Sequence, residues 1–96
     1  MHSDPIAEVA IDGEGRLRVV PLSNTYPMIY REGVEVHWNS AGRFLFSPRP
    51  REWSYLHWFK HIIVVAGGLA LSHETKWTNV PDELRREAET WMNQRK

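Results

Sequence analysis

The chain has 96 residues, a length that is enough for one globular domain and too short for two. Of these residues 42% are hydrophobic and 25% are charged, an ordinary composition for such a domain. Its 12 basic and 12 acidic residues cancel, so no overall field attracts it to nucleic acid or to an anionic membrane. It has no cysteine, which excludes disulfides, thiolate nucleophiles and cysteine-ligated zinc.

The longest apolar run, Ile62–Leu71, is about half the ~20 residues that a membrane span requires. The N-terminal residues lack the basic lead and apolar segment of a signal peptide. We therefore expect a cytoplasmic protein with no membrane association, and a single domain over residues 1–96 in which residues 1–5 form a flexible tail.

The first half of the chain alternates apolar and polar residues, as half-buried strands do. Asp12-Gly13-Glu14-Gly15 separates the first two predicted strands, and its glycines suit a tight hairpin. Phe44 and Phe46 share one face of the last of these strands. The predicted strands cover residues 6–11, 16–21, 28–30, 34–38 and 43–47, with a further short one at 69–72. Short turns between them predict an antiparallel β-meander with one face in solvent.

The periodicity changes to that of a helix after residue 51. At about 100° per residue, residues 52–66 separate into a wide apolar arc and a polar arc, the pattern of a long helix lying across one face of a sheet. Pro50 suits the first turn of this helix, and Gly67-Gly68 suits its C-terminal end. The apolar arc contains Tyr55, Leu56, Trp58, Phe59, Ile62, Ile63, Val65 and Ala66.

A second helix is predicted at the C-terminus, where Pro81 lies near the first turn and acidic residues follow it. Together these elements predict the α+β class: an antiparallel meander of about five strands, the long helix and a peripheral C-terminal helix. The apolar stripe of this last helix is narrow, and it can dock on its own sheet or on a second copy of the chain. With a tryptophan from the preceding loop it forms our candidate interface: Trp77, Leu84, Ala88, Trp91 and Met92. Because exposed apolar patches mark contacts and twofold symmetry is common, we expect a homodimer; packing within one chain is the alternative.

A candidate anion site lies where the long helix is predicted to begin. Ser47, Arg49 and Arg51 precede the helix, and the positive end of a helix dipole favours an anion. Four neighbouring side chains on or near the polar side of the helix form a candidate ligand or surface patch: Trp53, His57, Lys60 and His61. These residues suit a small anionic ligand or a protein partner. The alternative is that the arginines are solvated or pair with acidic residues of the first half of the chain, and that Trp53 packs on a loop.

The sequence shows no catalytic or metal-binding set. His57 and His61 have helical spacing for a metal, but Trp58 occupies the place of the glutamate in H-E-x-x-H. Ser72-His73-Glu74 are consecutive, and in an extended chain such residues point to alternate sides, so they cannot form a triad. We predict no metal, no cofactor and no catalytic residue.

Three functional hypotheses follow. The first is a small non-enzymatic binding or interaction module that self-associates. The second is a nucleic-acid or phosphate-ligand binder that uses Arg49, Arg51, Lys60 and Trp53, which the neutral net charge disfavours for nucleic acid. The third is a small enzyme with His57 or His61 as its acid–base group, which lacks a carboxylate spaced to orient either imidazole.

Overall fold

Two α-helices pack against one mixed sheet in the computed structural model, which describes residues 4–33 and 35–95. The predicted α+β class is confirmed, with six strands and two α-helices in the described part of the chain. The strands are β1 (Asp4–Ile11), β2 (Leu17–Pro21), β3 (His37–Asn39), β4 (Phe44–Phe46), β5 (Leu69–Ala70) and β6 (Lys76–Thr78). The helices are α1 (Tyr55–Ala66) and α2 (Asp82–Gln94), and a 3₁₀ helix covers Ile29–Arg31.

The sheet is mostly antiparallel, but it is not a simple meander. Its order is β3-β4-β2-β1-β5, and β6 also pairs with β1. The pairs β1–β2, β2–β4 and β3–β4 are antiparallel, whereas β5 and β6 both run parallel to β1. Parallel neighbours require a crossover connection, which α1 provides between β4 and β5. The helix thus returns the chain to the side of β1 on which β5 and β6 pair.

The connection between β2 and β3 differs from the prediction. The expected strand at residues 28–30 is wrong, because this segment contains the 3₁₀ helix. The strand expected at residues 34–38 begins only at His37, and Val34 lies outside the described residues. Ile29 and Val36 are nonetheless buried, so this connection contributes apolar side chains to the core. A connection that carries buried apolar side chains has a sequence similar to that of a short strand, which is why residues 28–30 resemble one.

Two residues of the expected N-terminal tail belong to a strand. Asp4 and Pro5 begin β1, whereas residues 1–3 lie outside the described part of the chain. The buried carboxylate of Asp4 accepts hydrogen bonds from the backbone N–H groups of Ser23 (3.0 Å) and Asn24 (3.1 Å). These bonds supply the partners that a buried carboxylate needs. They also hold the start of the β2–β3 connection against the first strand.

The predicted hairpin between β1 and β2 is confirmed and is organised by Asp12. Its Oδ1 atom accepts from the backbone N–H groups of Glu14 and Arg16, both at 2.9 Å, and its Oδ2 accepts from Arg18 Nε at 3.0 Å. Gly15 takes the left-handed backbone conformation, φ 81°, that the turn requires. Burial by itself would raise the pKa of Asp12, but the backbone hydrogen bonds and the Arg18 guanidinium outweigh it and hold the pKa below its usual value.

The lowered pKa of Asp12 makes the hairpin's contribution to stability depend on pH. We expect Asp12→Ala to lower the free energy of unfolding at pH 7 by about 1–3 kcal/mol. Because the folded pKa lies below the unfolded one, the ionised carboxylate stabilises the fold above about pH 4, and this stabilisation is lost as the pH falls through the folded value. Urea unfolding at neutral and acid pH measures it, with the exposed Glu87→Ala as control. A difference between wild type and variant that stays constant with pH would contradict the prediction.

Helix α1 begins three residues later than the sequence predicted. Ser54 is its N-cap, and the serine side chain accepts from the backbone N–H of His57 at 3.1 Å. Gly67 ends the helix in the left-handed region, φ 67°, as expected. Pro50 therefore lies in the extended segment before the helix and not in its first turn.

The buried side of α1 supplies much of the hydrophobic core. Phe59, Ile62 and Ile63 are buried, and they belong to one cluster with side chains from the sheet and the β2–β3 connection. The other buried apolar members are Ile6, Val9, Leu17, Val19, Ile29, Val36, Leu45, Trp58, Leu69 and Ala88. The apolar arc predicted for the helix is thus the face that packs on the sheet.

On the other face of the sheet, two arginines lie on aromatic rings. Phe44 and Phe46 share a face, as predicted, but they point away from the core, because Leu45 between them is the buried residue. The Arg18 guanidinium lies 4.3 Å from the ring centre of Phe44, and that of Arg16 lies 5.6 Å from Phe46. Such cation–π contacts cover the rings while the charges stay in solvent.

Helix α2 packs against α1 near the end of the chain. Ala88 is buried at this contact, and the rings of Phe59 and Trp91 meet edge to face with centres 6.1 Å apart. No helix in residues 4–33 and 35–95 has both the length and the apolar character needed to cross a membrane.

Candidate ligand-binding cleft

A cleft of about 570 Å³ lies beside the first turns of α1. Its floor and walls come from the segment that precedes the helix, from two positions on the helix and from one residue of the β2–β3 connection. The lining residues are Glu35, Pro48, Arg49, Arg51, Glu52, Trp53, Trp58 and His61. A cleft of this size suits a small organic ligand.

The aromatic part of the cleft is built around the indole of Trp53. This ring stacks on His57, with centres 4.2 Å apart and planes at 7°. It also meets Trp58 at 4.7 Å and the edge of His61 at 5.3 Å. The segment before α1 therefore places Trp53 over the first turns of the helix, where three other rings hold it. Residues held by several neighbours keep one orientation, as a binding surface requires.

The imidazole of His61 is held by the same cluster. Its Nε2 atom is buried and has no hydrogen-bond partner among the described residues. The rings around it are Trp53 and Trp58, whose centres lie 5.3 Å and 5.8 Å from the imidazole. Indole faces can accept a weak hydrogen bond from an N–H group. His61 thus presents to the cleft an aromatic surface whose buried nitrogen has no oxygen acceptor.

The charged rim of the cleft contains two arginines and two glutamates. Arg51 Nη2 lies 3.6 Å from Glu35 Oε1, and both side chains are largely exposed. Arg49 Nε donates to the backbone oxygen of Glu14 at 3.0 Å. Glu35 has a left-handed backbone, φ 63°, which is uncommon for a residue other than glycine, asparagine or aspartate. This conformation occurs at the residue that meets Arg51 across the rim, and strained residues are often found at functional sites.

The structure brings only part of the predicted anion site to the cleft. Arg49 and Arg51 line it, but Ser47 is fully buried beneath the β1–β2 hairpin. The Ser47 hydroxyl accepts from the backbone N–H of Leu17 at 3.2 Å and donates to the backbone oxygen of Pro48 at 2.8 Å. Its hydrogen-bonding groups are therefore already used within the fold. Anion binding by the two arginines stays a prediction.

The predicted ligand patch is divided between two sides of α1. Trp53, His57 and His61 are together, whereas Lys60 points toward α2, with its Nζ 5.8 Å from the ring centre of Trp91. Lys60 and His61 are adjacent in sequence, and adjacent helical residues differ in direction by about 100°. The lysine is thus not among the residues that line the cleft.

The predicted interface residues mostly pack within the chain. Ala88 is buried, and four others are half-buried: Trp77, Leu84, Trp91 and Met92. The guanidinium of Arg95 lies 4.8 Å from the ring centre of Trp91, and that of Arg85 lies 5.5 Å from Trp77. The apolar stripe of α2 therefore makes the intramolecular contact that the sequence allowed as the alternative. Dimer formation through its remaining exposed surface stays a prediction.

Three cleft residues carried no usable signal in the sequence. Glu35 comes from a distant part of the chain, and Pro48 and Glu52 are unremarkable loop residues. Trp58 belongs to the predicted apolar arc of the helix and is buried, but it also contributes to the cleft wall. The path of the β2–β3 connection brings Glu35 to the cleft, and no local spacing encodes it, whereas Pro48 and Glu52 are sequence neighbours of the two predicted arginines.

Other features of the described residues offer fewer side chains suited to binding a ligand or a metal ion. A second cleft of about 740 Å³ lies between β5 and the end of α2, and no phenylalanine, tyrosine or tryptophan is among the residues that line it. Among residues 4–33 and 35–95, no group of three or more histidine and acidic side chains could hold a metal ion.

The fold and the cleft define a small α+β domain with a mixed sheet and an aromatic pocket beside its first helix. The chain belongs to the family of Integron Cassette Protein Hfx_Cass5, whose family model matches residues 4–75. That range includes every residue that lines the aromatic cleft and stops before α2.

A solved structure agrees with this assignment. Integron Cassette Protein Hfx_Cass5 from the mobile metagenome of North West Arm Sewage Outfall is 43% identical to this chain, with a TM-score of 0.50. The similarity covers 97% of this chain and 98% of that one. No curated protein matches the chain. The descriptions of the family and of the solved structure name neither a ligand nor a reaction.

Proposed function

We propose that this chain is a small non-enzymatic binding module and that the cleft lined by Trp53, Trp58 and His61 is its binding site. The observation that supports this most is the concentration of aromatic side chains at a cleft of ligand size. Trp53 lies at the cleft outside the main buried cluster, yet its ring is fixed by contacts with His57, Trp58 and His61. A fixed, partly exposed indole offers a stacking surface at little entropic cost.

The lining of the cleft favours binding over catalysis. The described residues that line the cleft include no serine, threonine, cysteine or lysine that could act as a nucleophile. Its imidazole, that of His61, has one nitrogen that is buried and has no hydrogen-bond partner among the described residues to orient it. His57 is exposed but is stacked flat on Trp53. Neither histidine therefore has the partners of an acid–base catalyst, which supports the first hypothesis over the enzyme.

A nucleic-acid function has weaker support. The two arginines of the cleft are accompanied by two glutamates, so the rim carries no net positive charge. Lys60, which the hypothesis required, lies on the α2 side of the helix. Binding to a polyanion depends on neutralising several phosphates in a row, and this arrangement does not provide it. A small ligand fits the cleft better.

The proposal predicts that planar aromatic fragments stabilise the protein through the cleft. We expect some members of a fragment library with acidic, neutral and basic rings to raise the melting temperature of the wild type, because a ligand that binds the native state stabilises it by mass action. Trp53→Ala should weaken binding of these fragments about fivefold or more, since ring stacking contributes roughly 1–3 kcal/mol.

Trp77→Ala is the matched control, because Trp77 is a half-buried tryptophan of β6 that does not line the cleft. It should keep the response to the same fragments. If no fragment stabilises the wild type, or if stabilisation persists unchanged in Trp53→Ala, the cleft is not the binding site.

We also propose that the protein self-associates as a homodimer through α2 and its neighbourhood. The support is that Trp77, Trp91 and Met92 are only half-buried after α2 has packed on α1, so apolar surface is left on one side of the domain. Closed twofold pairing is the commonest way in which soluble chains cover such surface.

Light scattering tests the dimer directly. We expect the wild type to scatter as a dimer at high micromolar concentration and Trp91→Ala to shift toward monomer, because the variant removes one of the two indole rings from this surface. Since Trp91 also contacts Phe59, circular dichroism must show that the variant is folded. Trp53→Ala, on the other side of α1, should leave the mass unchanged. A wild type that stays monomeric would refute the proposal.

A further inference from the structure

We propose that the ligand of the aromatic cleft is a small planar aromatic molecule with a single negative charge, such as an aromatic carboxylate. Its ring would lie against the indoles of Trp53 and Trp58, and its anionic group would pair with Arg51. This inference rests on the proposed binding function and names the ligand class for the same site.

The uncharged lining of the cleft selects a flat ring. Trp53, Trp58 and His61 provide aromatic surface, and Pro48 adds an apolar side. Aromatic rings attract other rings in offset or edge-to-face arrangements, with centres about 4.5–7 Å apart. Among the rings already present, Trp53 and His57 are stacked with centres 4.2 Å apart, and Trp58 and His61 meet edge to face at 5.8 Å. A planar ligand would extend this cluster.

The rim offers donors that the fold does not use. Arg51 has an exposed side chain (77%), and its ion-pair contact with Glu35, at 3.6 Å, is longer than a hydrogen bond. Arg49 donates a hydrogen bond from its Nε to the backbone oxygen of Glu14, and the two outer nitrogens of its guanidinium are left as donors for a ligand. A guanidinium can bind a carboxylate through two parallel N–H donors, which gives both attraction and orientation. The positive end of the α1 dipole also lies at this end of the helix.

The glutamates of the rim limit the charge that the cleft accepts. Glu35 and Glu52 balance the two arginines, so the cleft has no excess positive charge with which to hold a molecule that carries several negative charges. The Glu35 carboxylate, placed by its left-handed backbone opposite Arg51, is an internal competitor that a ligand carboxylate would replace. One negative charge on the ligand restores the pairing that Glu35 gives up. This is why we infer a monoanion and not a polyphosphate.

Three probes that share one ring and differ in charge test the inference: indole-3-acetate, indole-3-acetamide and tryptamine. Isothermal titration at low salt should show the acetate binding about twofold to fivefold more tightly than the amide, the range expected for one exposed ion pair. Tryptamine should bind more weakly than the amide.

Variants of the rim then distinguish the preference for an anion from the binding of aromatic rings. Arg51→Ala should abolish the preference for the acetate, Glu35→Gln should increase it, and Arg86→Ala, an exposed arginine on α2, should leave it unchanged. If the amide or tryptamine binds as tightly as the acetate and Trp53→Ala weakens all three probes, the cleft binds rings and the anion assignment is wrong. If none of the probes binds, or if Trp53→Ala has no effect, the binding site itself is refuted.

Discussion

Replacing Phe59 with alanine should lower the free energy of unfolding by about 3–5 kcal/mol, and Ile63→Ala by about 2–5 kcal/mol. Both side chains are buried, at 1% exposure, on the face of α1 that packs on the sheet. Truncation removes their apolar surface from the core and leaves a cavity that close-packed neighbours fill only in part. A domain of this size has about 5–15 kcal/mol of stability in total, so either loss is a large fraction of it.

The adjacent residue on the same helix provides the control. Val64 is 58% exposed, and Val64→Ala should change stability by less than about 0.5 kcal/mol, because alanine also favours the helix. Urea unfolding followed by circular dichroism measures all three variants, and Phe59→Leu serves if Phe59→Ala does not fold. Near-neutral results at both Phe59 and Ile63 would show that this face of α1 is not buried.

Gly33→Ala should destabilise the protein by about 1–3 kcal/mol through a steric clash. A Cβ atom at position 33 would lie 2.8 Å from Cγ2 of Val65 and 3.3 Å from Cγ2 of Val36. Val65 belongs to α1, where a β-branched side chain has one strongly preferred rotamer and cannot easily turn away. The close approach of the β2–β3 connection to the helix therefore requires glycine.

Two further variants identify the cause of that loss. Gly13→Ala should be nearly neutral, because a Cβ atom there meets nothing within 4 Å. Val65→Ala should reduce the cost of Gly33→Ala in the double variant, since it removes the clashing methyl groups. Equal costs for Gly13→Ala and Gly33→Ala, or additive effects in the double variant, would exclude the contact as the cause.

Local signals in the sequence predicted the elements that depend on neighbouring residues. The hairpin at Asp12–Gly15, the apolar face of α1, the glycine after its end and the C-terminal helix were all found from spacing and turn chemistry. The predicted start of α1 at residue 52 is three residues too early, because Pro50 suits a first helical turn but precedes the helix. Ser54, whose side chain caps the helix, is a preferred N-cap residue type and could have indicated the true start.

The sequence does not show which strands pair with each other when they lie far apart along the chain. β6 pairs with β1 in parallel, joining Glu8 to Lys76, and nothing in either segment specifies this partner. The strand expected at residues 28–30 failed for a related reason. A connection that carries buried side chains such as Ile29 has the same composition as a short strand.

The sequence predicted those residues of the candidate site that lie close together along the chain, and it missed one that comes from a distant segment. Arg49, Arg51, Trp53 and His61 lie near one another in sequence, around the start of α1, and the structure brings them to one cleft. Glu35 reaches the cleft only through the path of the β2–β3 connection, which could not be foreseen. Burial of nearby Ser47 depends on its position beneath the hairpin, which sequence alone does not show.

The binding role of the cleft is tested most directly by nuclear magnetic resonance of the indole N–H groups. The protein has five tryptophans, and single variants assign each indole signal. On titration with indole-3-acetate, we expect the signals of Trp53 and Trp58 to shift together and saturate, because both rings line the cleft. The signals of Trp77 and Trp91 should stay in place. Shifts confined to Trp77 and Trp91, or no shift at any tryptophan, would contradict a binding site at this cleft.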